Sequence, residues 1–121
     1  MIYAIEAVET PFIKFGSSSR GKTRLRLMHM QIGCPYELRF LALCDWPDRE
    51  ESHIHLFLAA YKARGEWFTR GKQTDQVITF LKAGRKGLGK WQDFLFEENV
   101  LQYRPTQGVL SAAEAKRLRF R

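Results

Sequence analysis

Residues 1–16 read MIYAIEAVETPFIKFG, and this stretch decides the fold. Met1 to Val8 alternates and is rich in apolar side chains, which is the pattern of a strand. Glu9-Thr10-Pro11 is a turn signal, and Phe12 to Phe15 reads as a second short strand. Two such runs joined by a few turn residues predict a β-hairpin. Helical and strand patterns both follow it, so the class expected is α+β.

Beyond the hairpin, Gly16, three serines and Arg20-Gly21 form a polar loop. Its last residues can cap a helix from about Lys22 to Gln31, ended by Gly33 and Pro35. Glu37 to Asp45 reads as a third strand, with Leu38, Phe40, Ala42 and Cys44 on one face. Arg39, Leu41 and Leu43 fall on the other. Residues 50–68, EESHIHLFLAAYKARGEWF, predict an amphipathic helix that stops at Gly65, with Trp67-Phe68 folding back on its last turn. Thr74-Asp75 can cap a short helix with Val77, Ile78 and Leu81 inward, and Gly84 stops it. Gly87 and Gly89 suggest a flexible connection, yet Trp91, Phe94, Leu95 and Phe96 require burial. Ser111 to Glu114 is a capping-box pattern for a final basic helix. The expected order is β-β-α-β-α-α with a C-terminal extension. That is a small three-stranded, mainly antiparallel sheet flanked by helices.

The chain has 121 residues, 45% hydrophobic and 13% aromatic, so one domain can build a core without disulfides. Cys34 and Cys44 form no CxxC and read as free thiols of a reducing compartment. The N-terminus lacks the basic flank and long apolar core of a secretory signal. No apolar run approaches the ~20 residues of a membrane span. A soluble, cytoplasmic protein with no membrane partner is expected.

The net charge of +7 favours a polyanionic partner. Lys14, Arg20, Lys22, Arg24 and Arg26 follow one another with no acidic residue between them. Arg85, Lys86 and Lys90 make a second cluster, and Lys116, Arg117, Arg119 and Arg121 a third.

Singly, the candidate site residues have ordinary explanations. Tyr3 suits a packed strand, and Lys14 suits an edge strand protected from aggregation. Asp48-x-x-Glu51 matches a capping box. His53 and His55 accompany Glu51 on one helix, but three histidines, no HExxH and no ligand-spaced cysteines argue against zinc.

In order, these residues carry a resemblance. Ile2-Tyr3-Ala4-Ile5, Ile13-Lys14-Phe15-Gly16, Arg26-Leu27 with Gln31-Ile32-Gly33-Cys34-Pro35, Glu51-x-x-x-His55 and Gly65-Glu66-Trp67-Phe68 are five short motifs in sequence. Together they resemble the GIY-YIG nuclease superfamily. The closest likeness is to its small phage-associated branch with a KIG second motif and a GEWF box. The resemblance covers about residues 1–83, leaving 84–121 as a basic extension that packs on the domain, contacts DNA or offers a homodimer surface.

The resemblance implies a metal-dependent endonuclease acting on DNA, with duplex DNA the expected substrate. Glu51 would bind one Mg²⁺ or Mn²⁺. Tyr3 would orient or deprotonate the attacking water, and Arg26 would stabilise charge on the phosphorus. Lys14 would lower the pKa of Tyr3 or contact phosphate. His55 would support Glu51 or carry a proton. Arg20, Lys22, Arg24 and Lys90 would contact the nucleic-acid backbone. The alternatives are a noncatalytic nucleic-acid-binding protein on the same scaffold and a small protein-interaction domain.

Overall fold

The opening hairpin forms as expected in the computed structural model, which describes residues 1–101. Strands β1 (Ile2–Ala7) and β2 (Phe12–Ser17) pair antiparallel, with Tyr3 opposite Gly16 and Ile5 opposite Lys14. The Thr10 hydroxyl fixes their turn: it donates to the Ala7 carbonyl at 2.7 Å and accepts from the Phe12 amide at 3.2 Å. Helix α1 (Thr23–Gln31) and strand β3 (Leu38–Cys44) follow, and β3 pairs antiparallel with β1. The helix expected from Ser111 lies outside the described residues.

The sheet has five strands, not three, in the order β3-β1-β2-β5-β4. The two additional strands come from the stretch read as the end of a long helix. Helix α2 covers only Glu50–Phe57, and one 3₁₀ turn follows at Ala59–Tyr61. Lys62–Arg64 (β4) and Trp67–Thr69 (β5) then form a hairpin, and β5 pairs antiparallel with β2. Gly65 makes the reversal, with φ +58, a left-handed conformation that costs glycine little. GEWF is therefore the turn and start of an inner strand. Phe68 is fully buried there, against Phe15.

A bulge corrects the expected faces of β3. Ala4 pairs with Ala42, but the next residue, Ile5, pairs with Phe40. The extra residue, Leu41, reverses the alternation. Leu38 and Phe40 pack with Tyr3, Ile5 and Ala7 on one face, beneath Leu27 and Met30 of α1. Ala42 and Cys44 pack with Ile2, Ala4, Ile13, Phe15 and Phe68 on the other.

That second face carries the larger core. Ile54 and Leu58 cover it, and so do Val77, Ile78 and Leu81 of helix α3 (Lys72–Lys82), the inward residues expected there. Helix α4 (Arg85–Glu97) adds Trp91 and Leu95 to the same cluster. Gly87 lies inside α4 rather than in a flexible connection. A Cβ there would stand 2.0 Å from the Phe80 carbonyl oxygen, so glycine lets α4 approach α3. Trp91 also stacks on Trp46, with ring centroids 6.2 Å apart.

Cys44 is buried, and burial pushes its thiol pKa up to about 12 from an unperturbed 9.0. The native state therefore keeps this proton where the unfolded chain releases it. The stabilisation is complete below the unfolded value and is lost as pH rises through the folded one. Denaturant midpoints are expected to decline from about pH 9. Cys44→Ala, less stable at neutral pH, should show a shallower alkaline decline. An unchanged slope would remove Cys44 as a cause.

Candidate active site

Tyr3, Lys14, Gly16 and Trp67 share the α1 face of the sheet, because Tyr3 pairs with Gly16 and Lys14 with Trp67. Arg26, one helical turn into α1, reaches down so that its Nε donates to the Tyr3 hydroxyl at 3.1 Å. Burial is the largest influence on Tyr3 and raises its pKa, opposed by the hydrogen bond and charge of Arg26. Tyr3 therefore stays protonated at neutral pH. Because Arg26 is the donor, the phenol proton remains available to another acceptor.

Gly16 makes room for this tyrosine. A Cβ at residue 16 would lie 2.5 Å from the Tyr3 hydroxyl oxygen and 2.6 Å from Cζ. Tyr3 has no exposed surface and cannot swing away. Gly16→Ala is expected to cost about 1–3 kcal/mol by overpacking and to break the Tyr3–Arg26 bond. Urea unfolding and the Tyr3 ring resonances would report the two effects. Wild-type stability with unmoved resonances would contradict the crowding.

Glu51 lies on α2, which flanks β2 beyond the end of β5. His55 seats that helix: its Nε2 donates to the Phe15 carbonyl at 2.7 Å, and its ring lies 5.0 Å from that of Phe68. This ties His55 to the sheet backbone, not to Glu51. The expected capping box is absent. The Asp48 carboxylate instead accepts from the Met1 amino group at 3.1 Å, and no side chain caps the helix. The Glu51 side chain makes no hydrogen bond or ion pair with any described residue, yet its charge acts on both Tyr3 and Arg26.

A second carboxylate went unread in the sequence. Glu66, in the β4–β5 turn, also acts on Tyr3 and Arg26, ahead of Glu51 in effect. It lies 3.5 Å from the ammonium of Lys14, whose side chain is only 16% exposed. Lys14 is thus committed to Glu66 and contributes nothing resolved to the shift of Tyr3. A carboxylate at a turn beside an aromatic pair was the signal available.

Beside Arg26, a polar groove of about 420 Å³ is lined by Ser17, Ser18, Lys22, His29 and Asp48. Lys22 is exposed in the wall of this groove; Arg24 is exposed too but does not line it. Arg20 is held by Asp45, as is Arg85 at 2.8 Å. These partners, Arg85 first, keep the Asp45 carboxyl below its usual range. Lys90 is exposed on α4, which packs on the opposite sheet face, away from Tyr3. Gln31 ties the end of α1 to β3, donating to the Tyr36 carbonyl at 2.8 Å and accepting from the Leu38 amide at 2.7 Å.

No family model, curated protein or solved structure matches this chain. No helix among the described residues is long and apolar enough to cross a membrane.

Proposed function

We propose that this protein is a metal-dependent endonuclease that hydrolyses phosphodiester bonds in DNA. The observation that carries the reading is the Tyr3–Arg26 hydrogen bond beside an uncommitted Glu51 carboxylate. A phenol, a guanidinium and a carboxylate are what hydrolysis of a phosphodiester needs for water, phosphate and cation.

The donor set fits a hard divalent cation. No group of three His, Cys, Asp or Glu side chains suited to a metal occurs among the described residues. A single carboxylate suits Mg²⁺ or Mn²⁺, which keep most of their waters and share phosphate oxygens. Glu51 would hold it, with Glu66 nearby adding negative charge. When bound, such a cation polarises the phosphoryl oxygen and assists formation of the nucleophile.

The chain's own groups do the positioning. Tyr3, neutral and enclosed, anchors Arg26 through its hydroxyl, and the attacking water would reach that hydroxyl only with a local opening of the site. Arg26 spends Nε on Tyr3 and retains its terminal nitrogens for the phosphate, where negative charge grows in the transition state. Lys14 balances Glu66 and keeps the floor of the site from accumulating unpaired negative charge. His55 positions α2 and touches no reacting group.

The test is incubation of purified protein with supercoiled plasmid and Mg²⁺, Mn²⁺ or EDTA. Nicking is expected with metal, none in EDTA, and none with Glu51→Ala. Cleavage that persists in that variant would overturn the role of Glu51. Salt-sensitive plasmid binding without nicking under any metal would replace the nuclease with a noncatalytic binding protein.

A further inference from the structure

On the same sheet face as Tyr3 lies a second cavity, of about 460 Å³, with an almost wholly apolar lining. Along β2, Gly16, Lys14 and Phe12 follow one another on this face at steps of about 7 Å. Gly16 lies under Tyr3, Lys14 beside Trp67, and Phe12 at the cavity. The cavity's walls include Trp67, Tyr36 and Arg64, with Phe12 and Tyr36 40% and 51% exposed. Its size is typical of a site for a small ligand group.

We propose that this groove stacks an unpaired base of the nucleic-acid strand whose backbone lies at Tyr3 and Arg26. The inference rests on the nuclease reading of that neighbouring site and names its substrate class: strands with unpaired bases, whether single-stranded, branched or distorted. Aromatic rings beside cations are what sequence-tolerant binding of an unpaired strand requires. Here Arg64, on the edge strand β4 and paired with Trp67, is in the wall; it is exposed and forms no ion pair with a described residue. An apolar peptide would gain nothing from that cation, whereas a strand's phosphate pairs with it. The walls are also preformed. Gln31 fixes the Tyr36 backbone, and Trp67 is held in the sheet opposite Lys14. A base therefore meets the Trp67 ring already in place, with little ordering cost there.

The test reads Trp67 directly. Trp46 and Trp91 are 1% and 0% exposed, so quenching by a stacked base reports on Trp67. Full-length Glu51→Gln protein, in EDTA to prevent cleavage, is titrated with a 12-mer of dT, a 12-mer of U and a blunt duplex. Either single strand is expected to quench Trp67 and to bind at least fivefold more tightly than the duplex at equal salt. Adding Tyr36→Ala, on an exposed loop, should weaken single-strand binding about five- to a hundredfold and leave duplex binding nearly unchanged. A Tyr36→Phe change keeps the ring and should retain binding. Equal quenching by duplex and single strand, or unaltered affinity in Tyr36→Ala, overturns the base-stacking groove. If wild-type protein nicks plasmid in the same preparation, only the groove assignment falls. Absence of both nicking and binding to any strand would remove the nuclease reading beneath it.

Discussion

Glu50→Ala should lower the unfolding free energy by about 3–5 kcal/mol. Glu50 has no exposed surface. Its carboxylate accepts from His53 Nδ1 at 2.9 Å, Trp91 Nε1 at 3.1 Å and Gln92 Nε2 at 3.3 Å, and lies 3.6 Å from Arg49 Nε. Truncation removes one acceptor group and strands two buried donors on α4, each costing about 1–3 kcal/mol. The Gln92 carbonyl oxygen already lacks a hydrogen-bond partner among the described residues. Glu50→Gln separates charge from shape. It keeps an acceptor for Trp91, and its new amide can pair with the Gln92 oxygen if Gln92 flips. It should cost clearly less than alanine. Urea unfolding of both variants checks this, and equal losses would mean that charge, not hydrogen bonding, holds the cluster. Because α2 also carries Glu51, loosening the α2–α4 contact should disturb the site as well as the fold.

Glu50 and Glu51 show how far sequence reasoning reached. Adjacent glutamates at a helix start look alike in one dimension. Their fates separate only when Trp91 and Gln92, some forty residues later, arrive on α4 to meet one of them. The opening hairpin was legible because apolar alternation and turn residues are local signals. So were α1, with Gly33 at φ +76 just beyond it, and the inner face of α3. Strands β4 and β5 were not legible, since three residues are too few for a period and Lys62–Arg64 is exposed throughout. The bulge at Leu41 is a matter of pairing, which no single strand records. Tyr3 and Arg26 were found through motif order, and the structure brings them to a 3.1 Å contact. Lys14 was found through motif order as well, but its partner Glu66 was not, because Glu66 was read as part of a helix-ending turn.

On the nuclease reading, Glu51 and Glu66 are both candidates to hold the cation, and their variants should separate cleanly. Glu51→Gln is expected to slow plasmid nicking about a thousandfold, a loss near 4 kcal/mol in transition-state stabilisation. Its stability should stay within about 0.5 kcal/mol of wild type, because the side chain has no hydrogen-bond or ion-pair partner among the described residues to lose. Glu66→Gln breaks the 3.5 Å pair with Lys14. Lys14, largely buried, is then left with its charge uncompensated but free to meet a phosphate. Lost cation attraction and gained phosphate attraction oppose each other, so the rate should change by no more than about tenfold. Mn²⁺ binding followed by electron paramagnetic resonance gives a readout apart from turnover. Glu51→Gln should abolish it and Glu66→Gln only weaken it. The reverse ranking, in both rate and Mn²⁺ affinity, would transfer the cation to Glu66. The centre of the site would then be the β4–β5 turn, and α2 with its His55 anchor would be scaffold alone.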